Sequence, residues 1–190
     1  VCENYAVHAR TKVTFDGVTS TVYDGNVGVF PGTSVTGSFT FDNAGNATGA
    51  HIIDNGEVVV DSADFAADVL DAHAAAMQEP SENLMEIEIG GLTFTPGTYR
   101  SDSAINFAYG TTVTLDGLNE DHPEFLFIAG STLVTAADTY FILKNGAKAE
   151  NVLWALGTAA TLGANSVLEG SILAGTAITF GTQSELHGCA

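Results

Sequence analysis

The sequence predicts a mainly β chain wound as a β-solenoid, with one long α-helix packed alongside. Three observations point there. An 18-residue repeat lies near the C-terminus, short β-prone runs are punctuated by glycine, and a single stretch has helical periodicity.

The repeat is the most informative of the three. Residues 157–170 read GTAATLGANSVLEG and residues 175–188 read GTAITFGTQSELHG. Gly157, Gly163 and Gly170 return 18 residues later as Gly175, Gly181 and Gly188, and Thr158, Thr161 and Leu168 return as Thr176, Thr179 and Leu186. A unit this short cannot bury its own apolar side chains, so neighbouring coils must stack. Earlier coils are less regular: the segment starting at Gly130 lies 27 residues before Gly157, and Ser103–Ala108 takes the same place another 28 back. The surplus, including Asn119–Pro123 and Asn145–Glu150, reads as corner loops. N-terminal strands are expected at Tyr5–Val7, Lys12–Phe15, Val27–Phe30 and Ser38–Phe41.

One segment departs from this pattern. Between Asp61 and Gln78, the residues Phe65, Ala66, Val69, Leu70, His73, Ala76 and Met77 fall on one helical stripe. Asp61 or Ser62 can cap its start and Pro80 stops it, giving a helix over about 61–79. His73 on that stripe reads as a packed histidine rather than a ligand.

A length of 190 residues suits a single domain over 1–190 with a real core. Charged residues make up 15% of the chain, well below the roughly 25% of ordinary domains. The deficit falls on one sign: 5 Lys and Arg stand against 23 Asp and Glu, for a formal charge of -18. Such a surface repels phosphate backbones and anionic lipid, which argues against nucleic-acid and membrane partners. No apolar run reaches the roughly 18 residues that cross a bilayer. The opening residues read as a mature, secreted chain. Cys2 and Cys189 could be free thiols, but their placement argues for a disulfide and an oxidising compartment. A bridge there requires the chain to double back, with the helix as the long return and the N-terminal coils beside the last C-terminal one. Asn46-Ala47-Thr48 is a glycosylation sequon.

The alternation of large apolar residues defines an outward set. In the last repeat Ile178 and Phe180 point in, so Ala177, Thr179 and Gly181 point out. The equivalent outward positions are Ala159, Thr161 and Gly163, then Thr132, Val134 and Ala136, then Ala104, Asn106 and Ala108. These twelve positions carry no charge, on a chain with a formal charge of -18. Small neutral groups on a rigid sheet suit an array of ordered water, ice included. A partner interface, or a surface covered by a loop, remains the other reading.

The chain also resembles a known family, the DUF3494 or type 1 ice-binding domain of bacteria, fungi, yeasts and sea-ice diatoms. The stretches that carry the resemblance are Asn4–Val7, Gly25–Val29 with Pro31-Gly32, and Ile89-Gly90-Gly91-Leu92-Thr93-Phe94-Thr95-Pro96-Gly97-Thr98-Tyr99. Phe125–Gly130, Asn151–Trp154 and Leu168–Ala174 complete the set. The resemblance implies a right-handed, discontinuous, triangular β-solenoid and adsorption to ice, with thermal hysteresis and inhibition of recrystallisation. It further implies that one flat side of the solenoid meets the crystal, and the twelve positions above are the expected side. Many relatives carry a further Thr-rich coil beyond the Gly188 position. The coil around Arg10–Phe15 is expected to take that place, so that Thr14 extends the surface and Lys12 interrupts it.

Other functions fit less well. A solenoid that cleaves or eliminates polysaccharide needs paired carboxylates or a basic cleft with a calcium site. The cations here are only Arg10, Lys12, Arg100, Lys144 and Lys148, with no pair in matching coils. Glu120, Asp121 and Glu124 read as a solvated loop, and His8, His51, His73, His122 and His187 lack zinc-ligand spacing. No catalytic, cofactor or metal residues are therefore expected, and the chain is taken as a monomer. An extracellular adhesion or matrix module using the same flat side is the main rival.

Overall fold

The computed structural model describes residues 5–9, 12–16, 20–22, 26–29, 34–36, 39–41, 53–54, 57–58, 63–81 and 83–188. From Gly97 onward the chain repeats one itinerary through three sides. Phe125–Ala129, Leu133–Thr135 and Tyr140–Lys144 form one coil; Val152–Leu156, Ala159–Leu162 and Val167–Glu169 form the next. Ser171–Ala174, Ala177–Phe180 and Glu185–His187 form the last of this run. Each strand pairs in parallel with its counterpart one coil away, the arrangement of a β-solenoid-like stack. The antiparallel pair Ile53–Asp54 and Glu57–Val58 is the exception among the described strands.

The N-terminal segment adds two more turns. Tyr5–Ala9, Lys12–Phe15 and Ser20–Val22 pair in order with Asn26–Val29, Ser34–Thr36 and Phe39–Phe41. Lys12–Phe15 also pairs with Ala177–Phe180, so the beginning of the chain stacks on its last C-terminal coil, as doubling back requires. Cys2 and Cys189, the residues that suggested it, lie outside the described residues, as do Arg10, Asn46, His51, Asp61 and Ser62. The expected strands at Val27–Phe30 and Ser38–Phe41 are found at Asn26–Val29 and Phe39–Phe41, and Tyr5–Val7 extends to Ala9.

The interior is filled by the inward side chains of all three sides. Tyr99, Phe127 and Trp154 occupy one register position in consecutive coils and stack, with centroids 5.4 Å and then 4.2 Å apart. The Trp154 indole N–H reaches the Glu169 carbonyl at 2.9 Å, which satisfies its one polar group inside the core. Long coils spend their extra residues at the corners, where Leu118, Asn119, His122 and Asn145 adopt positive φ. The short coils turn instead through Gly170 at φ 109, where an added Cβ would stand 2.7 Å from Val152 Cβ. Loss of those loops shortens the spacing to 18.

The helix runs from Ala63 to Gln78 and covers the sheet ordered Ser171–Ala174, Val152–Leu156, Phe125–Ala129, Gly97–Ser101 and Asn83–Leu84. Ala76 packs on Ile128 and Ala155, with Met77, Leu126 and Leu153 around them. Both faces of its two central strands, Phe125–Ala129 and Val152–Leu156, are consequently apolar. His73 is half-buried beneath the helix, its Nε2 2.8 Å from the Leu156 carbonyl oxygen, in keeping with a packed histidine. Leu70 departs from the expected stripe and is exposed, whereas Ala76 and Met77 further along pack on the sheet. The Arg100 guanidinium donates to the carbonyls of Met77 and Glu79 at 2.8 and 3.0 Å, closing the helix C-terminus with a positive charge.

Candidate functional site

The second side is a six-stranded sheet in the order Ile105–Phe107, Leu133–Thr135, Ala159–Leu162, Ala177–Phe180, Lys12–Phe15 and Ser34–Thr36. No described segment covers its outer face as the helix covers its neighbour. Inward positions alternate strictly with outward ones: Ile105, Leu133, Ala160, Ile178 and Val13 are buried, as are Phe107, Thr135, Leu162, Phe180 and Phe15. The register therefore sets the outward rows.

The central row reads Asn106, Val134, Thr161, Thr179, Thr14 and Thr36 across six strands. Parallel strands lie about 4.8 Å apart, so this row is a nearly regular file of small groups. One edge row holds Ala104, Thr132, Ala159 and Ala177 and the other holds Ala108, Ala136, Gly163 and Gly181. All twelve positions are half-buried or exposed, Val134 at 38%. Among the described residues, the hydroxyls of Thr132, Thr161 and Thr179 meet no protein partner, whereas Thr36 Oγ1 donates to Thr14 Oγ1 at 3.3 Å. Those hydroxyls face solvent with methyl groups beside them.

Gly163 and Gly181 behave differently from the other ten. A Cβ on Gly163 would lie 2.4 Å from the Ala136 carbonyl carbon, and one on Gly181 would lie 2.7 Å from the Leu162 oxygen. Both glycines admit close packing of adjacent coils at the corner and present backbone there.

That corner is built four times from one turn. The side-chain hydroxyls of Thr111, Thr139, Ser166 and Ser184 donate to the carbonyls of Ala108, Ala136, Gly163 and Gly181, three residues earlier, at 2.7, 3.3, 2.6 and 2.9 Å. The residue before each hydroxyl has positive φ: Gly110, Asp138, Asn165 and Gln183. Positive φ at the third place of a turn matches type II geometry, and Gly, Asn and Asp tolerate it best. Asn165 Nδ2 donates to Asp138 Oδ1 at 3.2 Å, linking neighbouring turns. The phenol of Tyr109 is pushed above its ordinary pKa, first by its hydrogen bond to Asp138 and then by that carboxylate's charge. Four superposed turns hold one edge of the sheet straight.

Charge borders this surface without entering the twelve positions. Lys12 pairs with Ala177 and is exposed, so it interrupts the first edge row. Asp16 is exposed next to Gly181, its N–H donating to the Phe180 carbonyl. At the opposite end Glu88 bridges to Asn106, but its carboxylate accepts the N–H groups of Gly90 and Ala108 at 2.8 and 2.9 Å. The third side is different in kind: Asp116 pairs with Lys144, and Glu169 with His187. His187 lies 2.8 Å from Glu169 and 3.4 Å from Glu185. Asp116 is held below the usual carboxylate range by the Asn145 side chain and then by the Leu118 N–H.

The profile of the Ice-binding-like family matches residues 7–190. The chain belongs to that family. It is 34% identical over 170 residues to the ice-binding protein of Nostoc sp. strain HG1, covering 83% of this chain and 62% of the relative. The corresponding protein of Flavobacterium frigoris is 31% identical, with 99% of this chain and 68% of the relative covered. The chain thus spans about two thirds of the length of these family members. The crystal structure of the ice-binding protein from the Antarctic ascomycete Antarctomyces psychrotrophicus is similar over 99% of this chain and 87% of its own. The two share 29% identity and a TM-score of 0.74.

Sequence reasoning grouped twelve positions on one sheet and anticipated Thr14 as an addition to them. It missed Thr36. The signal was present: Val13-Thr14 recurs 22 residues later as Val35-Thr36, between the strands expected at Val27–Phe30 and Ser38–Phe41.

Proposed function

We propose that this chain adsorbs to ice through the outer face of the six-stranded sheet. The carrying observation is a charge-free set of twelve unburied positions on one sheet of a protein with a formal charge of -18. Each hydroxyl or methyl contributes weakly, but a rigid sheet engages many at once with little ordering cost, so the sum holds. The family relatives, named for ice binding, support the same reading. Thr14 and Thr36 extend the contact row.

The proposal includes a single non-enzymatic domain over 1–190, acting as a monomer, wound as a right-handed triangular solenoid. Adsorption then produces thermal hysteresis and slows recrystallisation, because a bound protein forces ice to grow between anchored points. Such a protein works in the water that freezes, which favours a secreted chain stapled by Cys2 and Cys189.

Slow growth of an ice crystal in a solution of the protein tests the reading. The folded protein should enter the ice fraction while a neutral control protein stays in the liquid. Exclusion from the ice would favour an adhesion module in which the same surface meets protein or glycan.

A further inference from the structure

Along one edge of the six-stranded sheet, the amide just past each strand reaches to the neighbouring coil. In three steps its acceptor is a backbone carbonyl: Ala136 to Phe107 at 2.9 Å, Gly181 to Leu162 at 2.8 Å, and Asp16 to Phe180 at 2.8 Å. At the step from Leu133–Thr135 to Ala159–Leu162 the acceptor is a side chain. Gly163 N–H donates to Thr135 Oγ1 at 2.8 Å. Thr135 Oγ1 donates to Ser166 Oγ at 3.1 Å, and Ser166 Oγ donates to the Gly163 carbonyl at 2.6 Å. The three bonds close a ring that begins and ends on Gly163.

Thr135 is out of character for its place. Its register row is Phe107, Thr135, Leu162, Phe180 and Phe15, and Thr135 is itself only 2% exposed. A hydroxyl there must be desolvated, and its hydrogen bonds do little more than offset that cost, whereas valine of the same shape leaves the Gly163 N–H without its acceptor. What valine could not do is hold Gly163. This is also the step at which coil spacing changes from 27 (Leu133 to Ala160) to 18 (Ala160 to Ile178). Two coils of unequal length have to be brought level here, two residues beyond Thr161.

We propose that Thr135 is a positioning residue for the ice-contacting surface. Its buried hydroxyl fixes the height of the Gly163 edge, and with it Thr161 relative to Val134, so that long and short coils present one plane. The inference rests on reading the six-stranded sheet as the contact surface.

Thr135→Val removes the hydroxyl and keeps the shape; Thr135→Ser keeps the hydroxyl. Thermal hysteresis is measured just below 0 °C at equal folded concentration, checked by circular dichroism, with the melting temperature recorded separately. Thr135→Val should lower hysteresis by about twofold or more, the sort of loss that follows when the support of a site is loosened, and Thr135→Ser should restore it. A Thr135→Val protein with altered melting temperature but unchanged hysteresis would mean that the hydroxyl is merely structural, and overturns the proposal. Should Thr135→Val not fold, Ser166→Ala breaks the same ring, and unchanged hysteresis there has the same consequence. Thr161→Tyr run in parallel separates the two readings. If it leaves hysteresis intact, the contact surface lies elsewhere and the role of Thr135 falls with it; if it abolishes hysteresis while Thr135→Val does not, only the positioning role is lost.

Discussion

The helix-covered sheet and the open six-stranded sheet are built from the same coils and share an interior, yet their outer rows have opposite fates. Outward residues of the first are Leu126, Ile128, Leu153 and Ala155, and the helix closes over them until Ile128 and Ala155 reach 0% exposure. Outward residues of the second are Asn106, Val134, Thr161 and Thr179, and these remain accessible. Both sets are uncharged and both suit strands. The difference lies in side-chain size and hydroxyl content: large aliphatic groups gain by expelling water, at about 25 cal/mol per Å² buried, while Thr and Ala rows lose little by staying wet. A side of this solenoid is thus assigned to packing or to solvent by its outer row alone.

Placing a charge on each sheet breaks this comparison most sharply. Ile128→Asp puts a carboxylate beneath the helix, where its one charged neighbour, Arg100, is already bonded to the Met77 and Glu79 carbonyls, and should cost on the order of 3 kcal/mol, read as a large fall in the urea midpoint. Val134→Asp sits on the open sheet and should change stability by no more than about 0.5 kcal/mol, while expelling the protein from growing ice. Equal destabilisation by the two would show that the open sheet is covered in solution.

Thr161→Tyr and Thr179→Tyr sharpen the contrast next. Each ring holds the plane off the crystal, so ice partition should fall severalfold with the denaturation midpoint within about 0.5 kcal/mol of the parent. A comparable ring introduced at Ala74, on the exposed side of the helix, should leave partition unchanged. His73→Leu tests the covered side more gently. It removes the bond to the Leu156 carbonyl and should cost about 1 kcal/mol, with hysteresis of the folded protein preserved.

The smallest effect concerns acid. Asp116 has its folded pKa depressed, so the stability it lends is complete above the unfolded carboxylate pKa and disappears as pH falls through the lower folded value. Asp116→Ala should flatten that part of a stability-against-pH curve in the acid range and leave ice partition untouched. A parallel drop in partition would tie the third side to the contact surface.

The sequence made the open sheet readable because Gly157–Gly188 repeats its corners at fixed places, which fixes the phase of every strand between them. Thr36 escaped because the N-terminal coils have spacings of their own, with Lys12 paired to Ser34 and Ser20 to Phe39. The strand Ser20–Val22 was missed for the same reason, since no corner at a fixed spacing marks its phase. The exposure of Leu70 was hidden since periodicity gives a helical face but not how far along the helix the sheet extends. Thr135 was legible only as one more β-branched residue. Alternation already turned it inward, between Val134 and Ala136; that its hydroxyl takes the place of a backbone acceptor depends on a neighbour in another coil.

The pairing of Lys12–Phe15 with Ala177–Phe180 carries a consequence for how the molecule comes into being. Thr182 Oγ1 donates to the Asp16 carbonyl across a separation of 166 residues, so the strand Lys12–Phe15 waits for a partner made much later. Non-local closure of this kind is slow, since the loop entropy is lost before any contact rewards it. During synthesis Lys12–Phe15 therefore needs shelter from premature partners. A ribosome that stalls before the coil of Ala177–Phe180 leaves Lys12–Phe15 without that neighbour.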